Sequence, residues 1–240
     1  MAGRRRNSLN RLKTWLRRLL KFSAGVFVGI HIYALCLSVL PIPGTVNIVL
    51  TRLGGEQIER RWVAIEQISP HLIHAVIGAE DSGFCFHQGV SLSDIRSAYA
   101  DYQSTGRLRG ASTLTQQTAK NVFFWNGGGL VRKAGEAWMA VFIDQFWGKR
   151  RVLEVYLNVA EFGDGIYGVE AAAQRRFGRS AEDVTPYQAA LLAAVLPSPN
   201  RYRLDPPTSF VRRQAATYRA RMRTVAGENL DQCVEPSERS

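Results

Sequence analysis

Residues 69–84 read SPHLIHAVIGAEDSGF, and the pattern is helical. Ser69 stands where a helix is capped, and Pro70 takes the first helical position, where a missing N–H costs nothing. Leu72, Ala75, Val76 and Ala79 follow at i, i+3, i+4 and i+7, one buried face. The helix delivers Glu80 and Asp81 at its C-terminal end. A carboxylate there faces the negative pole of the macrodipole. With a like charge adjacent and Phe84 and Phe86 near in sequence, its pKa is expected to rise, which suits a general base.

Outward from this segment the helical signals continue. Ser91 or Ser93 opens a helix carrying Ile95, Ala98, Tyr99 and Tyr102, and Gly106 and Gly110 bound the loop after it. Thr113 and Gln116 have capping-box spacing, so LTQQTAKNVFF is predicted helical, with free N–H groups near 113–116. Gly127, Gly128 and Gly129 break the chain. Periodicity resumes around Glu136 and again from Arg151, where Leu153, Tyr156, Leu157 and Ala160 share a face ending at Gly163. Thr185, Pro186 and Gln188 start a last strong helix through Leu196, and the polar tail from Gly227 is expected to fray. The fold class is mainly α, and no internal repeat is visible.

The net charge of +11 invites a nucleic-acid reading until its distribution is examined. Residues 1–42 hold eight of the 31 basic residues and no acidic one, leaving 23 basic against 20 acidic beyond them. Nucleic acid is therefore not an expected partner. Residues 22–42, FSAGVFVGIHIYALCLSVLPI, lack any charge and as a helix would reach about 31 Å, enough to cross the hydrocarbon core. The run is too long for a signal peptide and no A-x-A site follows, so an uncleaved anchor is expected. All eight early charges precede it, which places the tail in the cytoplasm and the remainder outside. Cys36, Cys85 and Cys233 give neither a disulfide framework nor zinc spacing. His31 in the span, and His71 and His74 on one helical face, read as structural.

Two further clusters are ambiguous alone. RGASTLTQQTAKN, from Arg109 to Asn121, puts hydroxyls and amides at a helix start with Lys120 further on; this suits a diphosphate, although Ser and Thr at such places are mostly caps. Arg132, Lys133 and Glu136 would ordinarily be a solvated face with an i, i+4 pair.

Together the motifs are specific. E-D-x-x-F-x-x-H-x-G falls on Glu80, Asp81, Phe84, His87 and Gly89. G-x-S-T-x-T-Q-Q falls on Gly110, Ser112, Thr113, Thr115, Gln116 and Gln117, and R-K-x-x-E on Arg132, Lys133 and Glu136, followed by EVYLNVAEFG. Over about residues 62–205 the chain resembles the peptidoglycan glycosyltransferases of class A penicillin-binding proteins and their monofunctional relatives. No S-x-x-K or K-T-G string occurs, so no transpeptidase half is expected.

The resemblance implies a lysozyme-like helical domain with a small membrane-proximal jaw. The activity implied is inverting transfer of a disaccharide from one lipid II to the 4-hydroxyl of another, releasing undecaprenyl diphosphate. Glu80 would be the base. Glu136 would be the second carboxylate, holding a divalent Mg²⁺ or Mn²⁺ at the leaving diphosphate. Lys120, Arg132 and Lys133 would neutralise that diphosphate, with Asp81, Phe84, His87, Ser112, Thr113, Gln116, Gln117 and Asn121 in the same groove. Lipid II, the growing glycan strand, the bilayer of the inner membrane and other cell-wall synthesis or division proteins are the implied partners. Cys85 beside the base would make activity sensitive to oxidation if exposed. Phe123, Phe124, Trp125, Trp138, Met139, Phe142, Phe146 and Trp147 are either core or a jaw dipping into the bilayer, with Lys149, Arg150 and Arg151 against headgroups. The nearest alternative is a lytic transglycosylase or lysozyme-like hydrolase, which would leave the R-K-x-x-E cluster without a task. The organisation expected is a basic tail at 1–21, an anchor at 22–42, a linker or short strand pair at 43–61, the enzyme domain at 62–226 and a tail at 227–240.

Overall fold

The computed structural model describes residues 2–106, 110–125, 127–163 and 165–235, with side-chain surroundings from residue 10 onward; Arg109 of the second cluster lies outside the described residues. Residues 1–40 and 41–240 form separate compact units.

The first unit is a helix, α1 (Ala2–Leu37), in which the basic tail and the apolar run are continuous. Its stretch Asn10–Leu37 is long and apolar enough to cross a membrane. The helix stops short of residue 42 because Pro41 disfavours helical geometry before it, and Ser38 turns its hydroxyl back onto the Leu35 carbonyl. His31 Nδ1 lies 2.7 Å from the Phe27 carbonyl of the preceding turn, a partner inside the helix itself.

The second unit opens with α2 (Val46–Leu53), capped by Thr45 and burying Ile48. The expected linker thus carries a helix, and Gly54 is its C-cap rather than a strand turn. Two-residue β1 (Glu59–Arg60) follows, then α3 (Pro70–Glu80) with Ser69 accepting from the His71 amide, as the sequence predicts. Next come α4 (Leu92–Thr105), α5 (Leu114–Phe123) and α6 (Gly129–Val159), which is interrupted at Gly148. After it, β2 (Ile166–Tyr167) pairs in parallel with β1, Glu59 opposite Ile166 and Arg60 opposite Tyr167. The chain ends through α7 (Val169–Phe177), α8 (Pro186–Val195) and α9 (Ser209–Gly227).

The core has two seams: α3, α8 and α9 pack on one another, and α5 packs along α6. Helix α8 is buried at every residue from Ala189 to Val195, the signature of a central helix. Each large apolar side chain sealed there, such as Leu72, Ile77 or Leu192, contributes roughly 1.5–3 kcal/mol. Asn158, wholly buried, ties α6 to the segment after β1 by bonding both the amide and the carbonyl of Val63 at 2.9 Å.

The C-terminal region departs most from expectation. Helix α9 was not anticipated, although Thr208 caps it and Val211, Ala215, Tyr218, Met222 and Val225 form its buried stripe. The tail is pinned rather than frayed. Cys233 forms a disulfide with Cys85, Asp231 pairs with His74 at 2.9 Å, and Val234 is 2 % exposed, its carbonyl taken by Arg150. A separation of 148 residues hides this pairing from any spacing rule, and it leaves no thiol beside Glu80 to be oxidised.

The basic triplet 149–151 also differs from expectation. Lys149 pairs with Asp144, Arg150 with Glu66 and Arg151 with Glu154, so these cations are bound within the domain rather than offered to headgroups. The aromatic segment divides: Met139 and Trp147 are core, while Trp125, Trp138 and Phe146 are exposed, as are Leu130, Val131 and Val141.

Candidate active site

Glu80 is the last residue of α3, and Asp81 caps it. The Glu80 Oε2 accepts a hydrogen bond from Gln117 Nε2 at 2.8 Å, and Gln117 Oε1 accepts from the Tyr156 hydroxyl at 3.2 Å. Burial raises the Glu80 pKa, the Asp81 charge raises it further, and the Gln117 amide acts the other way. The direction is the one sequence reasoning gave, but desolvation is the first cause. Phe84 lies sealed in the core, whereas Phe86 is 64 % exposed and shields nothing. Tyr156, raised well above its ordinary value by burial and by Glu80, stays a phenol and so a donor.

Asp81 and His87 are brought together. Asp81 Oδ2 accepts from His87 Nε2 and from the Leu114 amide, both at 2.9 Å. Gly89 completes this turn at φ +79°, where an added Cβ would lie 2.6 Å from the Ala140 carbonyl oxygen. Only glycine fits against α6 there.

The start of α5 corrects a second expectation. Thr113 and Gln116 form the predicted reciprocal capping box, and Thr113 also donates to the Gly89 carbonyl at 2.6 Å. The amides of Thr113, Leu114 and Gln116 are therefore occupied by Gln116, Asp81 and Thr113 in turn. This helix start offers a diphosphate little backbone, and the charge must come from side chains.

Those side chains are assembled. Lys120 and Lys133 both have lowered pKa values, first through burial and then through Arg132, which each faces; Glu161 supports Lys120 in its charged form. Lys133 donates to Ser112 Oγ at 2.6 Å. Glu136, 1 % exposed, pairs with Arg132 and lies 3.4 Å from Lys133, so the helical pair is buried rather than solvated.

Three cavities converge on this geometry. One of about 340 Å³ is lined by Gln117, Lys120, Asn121, Tyr156 and Glu161. Another of about 190 Å³ contains Glu80, Asp81, Asp94, Ser112 and Arg221, so the Glu80–Gln117 hydrogen bond lies where the two approach. A third of about 620 Å³ has apolar walls from Ile95, Tyr99, Tyr102 and Leu130 and ends at Ser112 and Lys133. Sequence reasoning missed Tyr156 and Glu161 as site residues, although both lie in the quoted EVYLNVAEFG, and it had no signal for Arg221 or Asp94.

The metal expectation can be weighed on the donor set. Among the described residues no three His, Cys, Asp or Glu side chains gather as ligands, and the Glu136 carboxylate is already engaged by two cations. The side chains as arranged do not fit a resident divalent ion.

The family model described as Transglycosylase matches residues 47–227. A biosynthetic peptidoglycan transglycosylase of Rhodospirillum centenum is 45% identical over 223 residues, covering 90% of this chain and 96% of the relative. Those of Caulobacter vibrioides and Ectopseudomonas mendocina are 42% and 43% identical, covering 88% and 94% of this chain and 90% and 96% of their own lengths.

Proposed function

The chain belongs to the transglycosylase family and is a peptidoglycan glycosyltransferase, and on that premise we propose that it extends glycan strands from lipid II by an inverting transfer. The observation that carries this reading is the placement of a carboxylate of raised pKa, Glu80, beside a cationic cluster that adjoins an apolar cavity. A lipid-linked diphosphate has the matching three parts: sugar, charge and tail.

In the proposed step Glu80 takes the proton from the acceptor 4-hydroxyl as that oxygen attacks the donor's anomeric carbon. A bond forms from O4 to C1, the bond from C1 to the phosphate oxygen breaks, and configuration at C1 inverts. Charge develops on the leaving undecaprenyl diphosphate, where Lys120, Arg132 and Lys133 neutralise it. Gln117 and Tyr156 hold the base, and Glu136 anchors Arg132 and Lys133. No step is routed through a Mg²⁺ or Mn²⁺ ion.

The apolar N-terminal helix is compatible with a single-pass anchor. We place the tail in the cytoplasm and the catalytic unit outside the inner membrane. The Cys85–Cys233 disulfide supports this, because such bonds persist in oxidising compartments. The exposed Trp138, Val141 and Phe146 on α6, with Ile95 and Tyr99 on α4, are the surface we assign to the bilayer. Incubation with lipid II tests the assignment: long glycan and released undecaprenyl diphosphate support it, whereas inertness toward lipid II with cleavage of preformed peptidoglycan would overturn it.

A further inference from the structure

We propose that Lys149 and Asp144 are positioning residues that hold Glu80 in register with the cations of α6; the inference rests on the polymerase reading above. Helix α6 is broken at Gly148, whose φ of 72° and ψ of 162° are not helical. The half before the break carries Arg132, Lys133 and Glu136, and the half after it carries Tyr156. A helix interrupted in this way has no continuous backbone ladder to fix the angle between its halves. Asp144 precedes the break and Lys149 follows it, and their charged ends meet at 2.6 Å with side chains 9% and 12% exposed. The ion pair bridges the break.

The pair is also part of a closed ring. Lys149 Nζ lies 3.4 Å from His87 Nδ1 and 4.8 Å from the centre of the Phe84 ring. An ammonium can only donate, so Nδ1 is the accepting nitrogen and Nε2 carries the proton given to Asp81 at 2.9 Å. Asp81 takes the Leu114 amide, and the next residue, Thr115, donates to Asp144 Oδ1 at 3.2 Å. The ring therefore joins the end of α3 that bears Glu80, the start of the helix that bears Gln117 and Lys120, and both halves of α6. None of its members lines the cavity that holds Lys120, and of them Asp81 alone lines the smaller one with Glu80. Its effect is on geometry: a displacement near 1 Å at a reacting centre can cost about a hundredfold in rate.

The test uses the full chain in detergent with lipid II. Asp144→Leu combined with Lys149→Met removes both charges together, so neither is left buried and unpaired. It should melt close to the wild type yet lose on the order of tenfold to a hundredfold in kcat, with KM little changed. Thr115→Val opens the ring without touching a charge and should lower kcat severalfold, and Lys149→Arg should restore most of the rate lost in Lys149→Met. Wild-type kcat in Thr115→Val and in the folded double variant, or a loss confined to KM, would overturn the proposal. Inertness of the wild type itself would instead overturn the polymerase reading, so the two failures are distinguishable.

Discussion

Gln117 Nε2 stands 2.8 Å from Glu80 Oε2, and this one hydrogen bond opposes the burial and the neighbouring charge that raise the Glu80 pKa. A base must be deprotonated to act, so polymerisation should rise with pH through the folded Glu80 value. Gln117→Leu removes the donor, raises that value further, and should move the rising limb of the kcat/KM profile to higher pH. A limb that stays in place or moves to lower pH would contradict this assignment of the base.

The same shift bears on stability. Because the folded pKa of Glu80 is raised, the native state keeps a proton that the unfolded chain sheds near its ordinary value of about 4.3. Stability is thus lost as pH rises from that value through the folded one. Glu80→Gln should melt higher than the wild type at neutral pH, and the gap should close below about pH 4. Thermal scans across pH read it directly, and a destabilised variant at neutral pH would refute it.

The disulfide should be worth about 2–4 kcal/mol, since it closes a loop with a sequence separation of 148 residues. Cys233→Ser, or the wild type under reductant, should show that loss in urea melts. It should also free the tail, so that Asp231 and Val234 become accessible to protease. Equal stability with and without reductant would show that the tail is held by its other contacts.

Arg132→Met leaves Glu136, 1% exposed, with only the longer contact to Lys133. Its expected cost is on the order of 3 kcal/mol, far beyond an ordinary surface change. Diphosphate affinity, measured with farnesyl diphosphate, should fall as well. A variant of wild-type stability would mean that the pair is solvated after all.

Much of this molecule was legible in its sequence because local rules decided it. Ser69 with Pro70, the Thr113–Gln116 box and the Thr185–Gln188 box each appear where capping chemistry puts them. Glu80, Gln117, Lys120, Arg132, Lys133 and Glu136 were picked out from ordered motifs; in the structure Gln117 bonds Glu80, Lys120 and Lys133 face Arg132, and Glu136 pairs with Arg132 and Lys133. What escaped was long-range. The Cys85–Cys233 bond, the His74–Asp231 pair and the Asp81–Leu114 contact depend on residues far apart in the chain, for which no period exists. The occupied amides at the start of α5 escaped for the same reason, since their partner Asp81 comes from another helix. Helix α9 was missed although its stripe was readable, because five arginines and a polar tail masked it.

The measurement that bears most directly on Glu80 as base is lipid II polymerisation by Glu80→Gln, with folding verified by its melting curve. The amide keeps the shape and the place beside Gln117 but cannot take a proton. The rate should fall on the order of a hundredfold to ten-thousandfold, with lipid II still bound. A folded Glu80→Gln protein that polymerises at the wild-type rate would contradict the account.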